Sequence, residues 1–403
     1  MKHFELTNAQ REYFGLDPIK KHWVAVPLQP DAYRPASIVY FDGNILKKHI
    51  VSTPEQYCET QYNEQTENRQ ILLPKTSKGK PVKLTASTLE QRKAAGIYLN
   101  ISSETGVLIA SHTTETTFYA TRWVESNKRD GKTISASVDE FITQSPPKHL
   151  AEIANFKRRQ KQRFKFKPGD YFRFKIQRDT FGFGRVLLDI AKIRKAGVLA
   201  KEHGLNLIMG PPVLVQLYIF ESKSPEIEIS ELAKKPKLPS DLMMDNLLLY
   251  GEFEIIGFEP LVEADFDFPI SYGRSIDQRQ VVFLQWGLIH RELPLRKFDK
   301  FLVADNPLLP EGNPSRRNVN PYGYYSIGFR PRYGTISILR AIQNDSSYDF
   351  SKDDHFTSLF DLRNPKNHVI KETILKAFGL DPKKSYVENC RALKIESIPD
   401  TLK

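Results

Sequence analysis

The amino-acid sequence predicts an α+β protein whose central part is a mainly antiparallel β domain, built as a twisted sheet or a partial barrel. First, "YFRFKIQ" (171–177) alternates apolar and polar residues with the period of a half-buried strand. Second, apolar runs such as "VLVQLYIF" and "QVVFLQWGLI" occur at short intervals, as further strands would. Third, the chain ends in helical patterns, at about Thr335 to Ile342, Pro365 to Phe378 and shortly after Lys384.

The N-terminal region begins with a short predicted helix. In "LTNAQREYFGLDP", Thr7 or Asn8 is placed to cap it. Gly15 comes after the helix end, where a left-handed residue is favoured, and Pro18 prevents continuation. The pentapeptide "FGLDP" returns near the other end of the chain, with Gly379 in the position of Gly15. Because the flanking sequences differ, we interpret it as a repeated helix stop and not as an internal duplication.

Hairpins dominate the rest of this region. "SIVYFDGNILKKHI" contains Asp42-Gly43, a dipeptide typical of tight hairpin turns. "GIYLNISSETGVLIASH" predicts a second hairpin with Gly106 near its turn. A capping-box spacing at 87–90 and another beginning at Ser137 predict two short helices. Strands with short helices indicate an α+β domain.

A change in composition marks the end of this first domain. "HLAEIANF" begins as an amphipathic helix with Leu150, Ile153 and Ala154 on one side. It passes into a basic segment, 156–167, which has seven basic residues and no acid. We therefore expect four regions: an N-terminal α+β domain without an assigned role (1–145), a basic helix and linker (146–166), the central β domain (167–265), and a C-terminal extension of strands and then helices (266–403).

Glycines are expected to shape the central domain. Gly169 and Asp170 turn the chain into the first strand. In "DTFGFGRVLLDI" (179–190), Gly182 and Gly184 allow the second strand to bend or bulge beside its aromatic residues. Further along, "LQWGLI" predicts a core residue at Trp286 and a turn at Gly287.

Composition narrows the class of protein. The 403 residues are 40% apolar and 27% charged, which is typical of globular domains. The 2 cysteines are too few for a disulfide framework or a cysteine zinc site, and no stretch has the pattern of a signal peptide or a membrane span. We therefore expect a cytoplasmic protein without a membrane partner. The net charge of +11 would attract nucleic acid, acidic protein surfaces or anionic lipid without choosing among them, and a cationic surface with no polyanionic ligand is the alternative.

The glycines of "FGFGRV" suggest comparison with the nucleotide-binding loop of protein kinases, which needs the pattern G-x-G-x-x-G-x-V. If Gly184 and Val186 are aligned with its end, Phe181 and Asp179 occupy the two earlier glycine positions. A phenylalanine blocks the close approach of phosphate, and an aspartate repels it. "HRELPLRK" (290–297) also lacks the aspartate base of a kinase catalytic loop. The sequence therefore argues against a kinase.

Other catalytic patterns are missing from the sequence as well. The 9 histidines are scattered singly, without the short ligand spacings of zinc sites, and no G-x-S-x-G motif occurs. Asp265 and Asp267 in "DFDF" share one face of an extended segment, which suits an acid–base pair or a solvated strand edge equally. We predict no catalytic residue, cofactor or metal, and we keep an unrecognised hydrolase as a third alternative.

The basic segment 156–167 supports a second alternative, nucleic-acid binding. Phe156, Phe164 and Phe166 stand among its cations, a mixture that can stack on bases and pair with phosphates. A helix end with a linker after it would have the same composition. The candidate polyanion contacts are Lys157, Arg158, Arg159, Lys161 and Arg163.

Several pieces of the central domain resemble the bacterial immunity protein 26 family. They are Gly169-Asp170 with the strand directly after it, "FGFGRVL", "VLVQLYIF" and the closing "EFEIIGFEP". The resemblance is specific from Lys167 to Leu261. It continues more faintly in "SYGRSIDQRQVVFLQWGLIHRE", which is similar to the segment after the domain in longer members. The resemblance implies a mainly β domain encoded beside polymorphic toxin genes.

The resemblance further implies a bacterial, non-enzymatic immunity protein that neutralises a cognate toxin by covering a region the toxin needs. The charge of +11 would suit an acidic toxin face. We expect partner contacts at exposed aromatic and arginine residues near the matched motifs, namely Tyr171, Arg173 and Arg185. An ordinary strand surface is the alternative for each of them, and a nucleic-acid-associated protein is the alternative function.

Overall fold

The computed structural model describes residues 4–67, 85–89, 92–121, 133–208, 210–274, 281–297 and 368–397, with 69, 78, 362, 363 and 365 as single positions. The chain divides into two compact units. The first contains Met1–Phe164, Lys175–Thr180 and Leu249–Glu252, and the second contains Lys165–Phe174, Phe181–Leu248 and Phe253–Lys403. The described residues form three mostly antiparallel sheets with a few helices, which confirms the predicted α+β class. None of these three sheets closes into a barrel.

A seven-stranded sheet forms the body of the first unit, and each strand pairs with the next one in the chain. The strands are β1 (Val24–Leu28), β2 (Ser37–Asp42), β3 (Ile45–Ser52), β4 (Gln56–Gln65), β5 (Ile97–Ser102), β6 (Gly106–Ser111) and β7 (Thr116–Ala120). A 3-10 helix (Ala86–Leu89) lies between β4 and β5, and the helices are α1 (Asn8–Tyr13), α2 (Ile134–Thr143) and α3 (His149–Arg158). Buried side chains of the helices and of the sheet share one core, which includes Phe14, Ile97, Ile109, Val138 and Ile153.

Local signals explain where these elements begin and end. Thr7 caps α1 through a capping box with Gln10, which decides between the two predicted caps. Gly15 ends the helix with a φ of +69°, and a Cβ atom there would lie 2.6 Å from Ile97 Cδ1. Glycine is therefore needed at this stop for both its conformation and its lack of a side chain.

Both predicted hairpins are present, and the turn of the first one is shifted by one residue. Asp42 pairs with Ile45, so the two turn residues are Gly43 and Asn44, one position later than expected. Gly43 takes a φ of +59°, which is the conformation that this type of tight turn requires. The second hairpin has a turn of residues 103–105, directly before Gly106.

Two helix predictions in this unit need correction. Helix α2 begins at Ile134, with Thr133 as its N-cap, and so starts earlier than the capping pattern at Ser137 indicates. The second correction concerns the apolar side predicted for α3, which included Leu150. Leu150 is 38% exposed, whereas Ile153 and Phe156 are buried. The capping pattern at 87–90 coincides with the short 3-10 helix Ala86–Leu89, and residues 92–96 beyond it are not helical. The predicted helix Thr335 to Ile342 lies outside the described residues.

The second unit contains a five-stranded sheet in the order β11-β10-β9-β8-β12 and a three-stranded sheet in the order β13-β14-β15. The strands are β8 (Asp170–Gln177), β9 (Thr180–Asp189), β10 (Pro212–Ser222), β11 (Asp241–Met244), β12 (Glu254–Phe258), β13 (Ile270–Arg274), β14 (Val281–Trp286) and β15 (Ile289–Pro294). The helices are α4 (Ile190–Ala196), α5 (Gly204–Leu207), α6 (Ile229–Leu232), α7 (Asn246–Leu249), α8 (His368–Ala377) and α9 (Tyr386–Leu393).

One hydrophobic core joins the sequence-distant parts of this unit. It contains Leu187 of β9, Ile193 of α4, Leu284 of β14, Leu375 of α8 and Tyr386 of α9. Residues on both sides of position 265, where the sequence analysis expects the central β domain to end, therefore contribute to the same core. Burial of apolar surface is the main stabilising term for such a core.

Glycines shape the second unit at two places where a side chain would not fit. A Cβ atom on Gly184 would overlap the ring of Phe172 and lie 2.8 Å from Leu217 Cδ2. The pairing of β9 with β10 also shifts register between Leu217, which faces Gly184, and Glu221, which faces Gly182. In the turn between β14 and β15, Gly287 takes a φ of +55°, and a Cβ atom on it would meet the neighbouring aromatic rings at 2.6 Å and 2.8 Å. Trp286, directly before it, is half-buried and packs against the core.

The apolar stretch "GRVLLDIAKI" is not one strand, because Asp189 ends β9 and begins a helix. Its carboxylate accepts a hydrogen bond of 3.0 Å from the backbone N–H of Lys192, which caps α4. Gly197, with a φ of +69°, ends that helix. An aspartate inside an apolar run is therefore the signal that separates the strand from the helix.

His203 gives the second unit a predicted dependence on pH. Its Nδ1 accepts the backbone N–H of Leu205 at 3.1 Å, and its Nε2 donates to the carbonyl of Leu288 at 3.1 Å, so the buried ring is neutral. Burial lowers the pKa of His203 from 6.5 to about 4. Below pH 6.5 the unfolded chain therefore binds a proton that the folded chain does not bind.

We expect the free energy of unfolding of this unit to fall as the pH decreases from 6.5 to about 4, because protonation stabilises the unfolded state there. The contribution of His203 to the slope is at most about 1.4 kcal/mol per pH unit. Urea unfolding across this range measures the slope, and the His203→Gln variant should reduce it. An unchanged slope in that variant would assign the pH dependence to other groups.

Candidate partner-binding site

The best-defined polar cluster of the second unit is centred on Arg185 of β9, which is only 4% exposed. Its Nη1 lies 2.9 Å from Oδ1 of Asp265. Its Nη2 donates to the backbone carbonyls of Glu259, at 2.9 Å, and Pro260, at 3.2 Å. One buried guanidinium group thus holds both ends of the segment 259–265, which we call the 259–265 loop.

Tyr171 of β8 supports the same loop beside the guanidinium group. Its phenol donates a hydrogen bond of 2.8 Å to Oε2 of Glu259, and its ring centroid lies 4.7 Å from the guanidinium carbon of Arg185. Burial and the contact with Glu259 raise the pKa of Tyr171 well above its usual value. The phenol therefore stays protonated and remains a hydrogen-bond donor.

Bonds within the loop and from the start of β8 complete its fixation. Oδ2 of Asp265 accepts the backbone N–H of Val262 at 2.9 Å, and Nζ of Lys237 lies 3.5 Å from Oδ1 of Asp265. The N–H of Glu259 donates to the carbonyl of Gly169 at 3.2 Å. The loop backbone is therefore held at its beginning, its middle and its end.

The outer side of this segment exposes apolar side chains. Phe258 is 43% exposed, Val262 is 60% exposed, and Pro260 between them is exposed as well. The intervening Leu261 packs against the hydrophobic core. This alternation is what an extended segment produces when every second residue faces out. We call Phe258, Pro260 and Val262 the apolar stripe.

The turn before β8 is shaped to fit one end of this stripe. Gly169 takes a φ of +95°, and a Cβ atom there would lie 2.8 Å from Cε2 of Phe258. Nζ of Lys167 lies 3.5 Å from the centroid of the Phe258 ring, a cation–π contact. Asp170 accepts the backbone N–H of Lys167 at 2.7 Å, and burial raises the pKa of its carboxyl group.

The structure corrects the expectation that Tyr171 and Arg185 are exposed, because both are buried. Tyr171 lies in a cluster with Phe183 and Leu232, against which side chains of the connection after β10, such as Ile229, also pack. Strand periodicity predicts which residues share a face, but not whether another segment covers that face. The two residues therefore support the 259–265 loop and do not form a surface themselves.

Arg173 is the third of the predicted contact residues, and it is half-buried. Its Nη2 lies 2.7 Å from Oε2 of Glu254 on β12, and its Nη1 donates to the carbonyl of Pro225 at 2.9 Å. Arg173 therefore joins β8 to the neighbouring strand β12 and to the connection that follows β10. A direct contact with a partner at this residue stays a prediction.

Sequence reasoning missed the residues that this site exposes. "GFEPLVEAD" (257–265) contains the alternation that places Phe258, Pro260 and Val262 outward, but the segment is too short to distinguish from an ordinary connection. The sequence suggests Asp265 as part of an acid–base pair or a solvated strand edge. It is instead buried and bonded to Arg185.

The basic segment is mostly an exposed stretch without helix or strand after Arg158. In the first unit, Lys157 forms an ion pair with Asp17, and Lys161 pairs with Glu115 and lies over the ring of Tyr250. Arg158 donates to the side chain of Asn155, and Arg159 and Arg163 are exposed. Binding of nucleic acid by this segment stays a prediction.

The polar groups of the Arg185 cluster bond mainly to one another and to the loop backbone. Such an arrangement fixes a surface, whereas nucleophilic catalysis requires a nucleophile within reach of a base. Within the described part of the chain, no three His, Cys, Asp or Glu side chains come together as a metal site requires. No helix among these residues has the length and hydropathy needed to cross a bilayer.

The segment that carries this site is an open, mostly antiparallel sheet with a buried support and an exposed loop. Residues 167–281 match the family model of Immunity protein 26. The match includes the Arg185 cluster, the 259–265 loop and the apolar stripe. No curated protein and no solved structure matches the chain.

Proposed function

We propose that this protein is an immunity protein that binds and neutralises a bacterial protein toxin without catalysing a reaction. The observation that carries the proposal is the match of residues 167–281 to Immunity protein 26. Inhibition by binding needs a complementary surface with a few apolar anchors and a charged rim. The fixed loop held by Arg185, with its exposed apolar stripe, supports the proposal.

We infer that the protein acts in the cytoplasm, beside a toxin made by the same cell or delivered by a neighbour. Cys58 and Cys390 are both free, which is consistent with a reducing compartment. Burial raises the pKa of each thiol to about 11, so neither is a reactive thiolate at neutral pH.

The proposal predicts that this chain relieves the toxicity of the protein encoded beside it. Expression of that neighbour in a host bacterium should arrest growth, and co-expression of the full chain should restore growth, because the toxin is held in an inactive complex. Colony counts measure the rescue, and affinity purification through a tag on the chain should recover the neighbour's product. A chain truncated after residue 164, which lacks the matched segment, is the control for rescue.

A neighbour without toxicity, or toxicity that the intact chain does not relieve, would contradict the proposal. Rescue without a recoverable complex would contradict inhibition by binding and would favour the hydrolase alternative. The nucleic-acid alternative predicts retention of the chain on heparin at high salt. The ion pairs of Lys157 and Lys161 do not favour that result.

A further inference from the structure

We propose that the apolar stripe of Phe258, Pro260 and Val262, with the lysines at its Phe258 end, is the docking surface for the partner. The partner that fits it is a protein surface with an apolar centre and carboxylates on one side. This inference rests on the proposed immunity function and assigns the interface within it.

Preorganisation is the first argument for this surface. Arg185 binds the carbonyls of Glu259 and Pro260 and the carboxylate of Asp265, while Asp265 in turn accepts the N–H of Val262. A backbone fixed in this way loses little conformational entropy when a partner binds, so more of the interaction energy appears as affinity.

Exposed apolar side chains are the second argument. Phe258 and Val262 are 43% and 60% exposed although their backbone is held rigidly, and they are separated by about 13 Å of extended chain. Neighbouring exposed apolar residues that form a contiguous patch are a feature of interaction sites, whereas singly scattered ones are common on any surface. Val262 in particular makes an accessible anchor of the type that a partner's pocket can enclose.

Charge is the third argument, and it selects the chemistry of the partner. Lys167 is exposed and lies over the Phe258 ring, and Lys192, which is paired with Asp189, donates to the carbonyl of Phe166 next to Lys167. At the opposite end, the half-exposed acid Glu263 lies 3.6 Å from Arg391, which offsets its charge. The rim is thus positive on balance and attracts carboxylates.

A protein surface fits these features better than nucleic acid does. Phosphates would use the lysines but would leave Pro260 and Val262 without a partner, and binding would then depend steeply on salt. A protein with acidic side chains beside an apolar pocket would use both parts of the surface. The two cases therefore differ in how strongly a change at Val262 affects binding.

The test measures binding of the purified full chain to the purified product of the neighbouring gene by titration calorimetry at two salt concentrations. We expect Val262→Arg to raise Kd by about 30-fold or more, because it places a charge at an apolar anchor. We expect Lys167→Glu to raise Kd by about tenfold at low salt and to reduce the salt dependence, because it reverses a rim charge. Val198→Arg and Lys93→Glu, at exposed positions elsewhere, are the matched controls and should bind like the unaltered chain.

Circular dichroism and thermal unfolding of each variant show that the fold is intact, which is expected because both side chains project outward. Normal binding by Val262→Arg and Lys167→Glu would overturn the assigned surface while leaving the immunity function standing. Loss of binding in Lys167→Glu alone, with a steep salt dependence, would also overturn it and indicate a purely electrostatic partner. Failure of the unaltered chain to bind would instead overturn the proposed function.

Discussion

Replacement of Arg185 with leucine is expected to lower the free energy of unfolding of the second unit by about 3–5 kcal/mol. The change removes the closest cation of the buried Asp265 carboxylate, which lies 2.9 Å away. Lys237, the other cation at this carboxylate, is farther away, at 3.5 Å. The change also removes the donor that satisfies the carbonyls of Glu259 and Pro260. An uncompensated charge in a buried position is the main source of the loss.

Urea unfolding monitored through Trp286, with the other tryptophans replaced, measures this change in the second unit. Hydrogen exchange should show faster exchange in the 259–265 loop before the sheet itself unfolds. The matched control is Arg173→Leu, since Arg173 and Glu254 form a partly exposed pair that is worth at most about 1 kcal/mol. Equal losses in the two variants would contradict the assigned role of Arg185.

Glu59→Gln is expected to have a similarly large effect in the first unit, about 3–5 kcal/mol. Glu59 is fully buried, with Lys48 Nζ at 2.5 Å and Arg11 Nε at 3.0 Å. The phenol of Tyr57 also donates to it, at 2.6 Å. The amide keeps the size of the side chain but removes the charge that contacts both buried cations, and Arg11 then keeps the half-exposed Glu5, at 3.3 Å, as its ion-pair partner.

The control for this second variant is Glu64→Gln on the same strand. Glu64 pairs with Arg92 at 2.7 Å, but both side chains are partly exposed, so water screens the loss. Thermal unfolding should separate the two variants clearly. Burial lowers the pKa of Lys48, and Glu59 opposes that effect, so Lys48 should lose its proton more readily in Glu59→Gln. A small loss of stability in Glu59→Gln at a pH where Lys48 stays protonated would contradict the assigned role of Glu59.

Local sequence signals predict much of this fold because they act over a few residues. The helix cap at Thr7 or Asn8, the stop at Gly15 and the alternation in β8 all depend on neighbours in the chain, and the structure confirms them, with Thr7 as the cap. The turn at Gly43 is displaced by one residue from its predicted place, since Asp42 and Gly43 both suit such turns.

The site could be predicted only in part, because it depends on contacts between residues far apart in the chain. The sequence singles out Tyr171 and Arg185 near the matched motifs, but the burial of Tyr171 depends on the connection that contains Ile229 and Leu232. The bond from Arg185 to Asp265 joins two distant segments, and no pattern in either of them indicates it. The ion pair of Glu59 in the first unit could not be predicted for the same reason, because its partner Arg11 lies on another element.

The Arg185 cluster is buried and the 259–265 loop faces outward, and this separation affects how the sequence of such a protein can evolve. Arg185 and Asp265 constrain each other, so substitution at either one alone is harmful. Val262 contributes little to folding, because most of its side chain lies in water. Under the proposed docking at the apolar stripe, binding specificity would therefore change by substitution of the outward residues, while the buried scaffold stays the same.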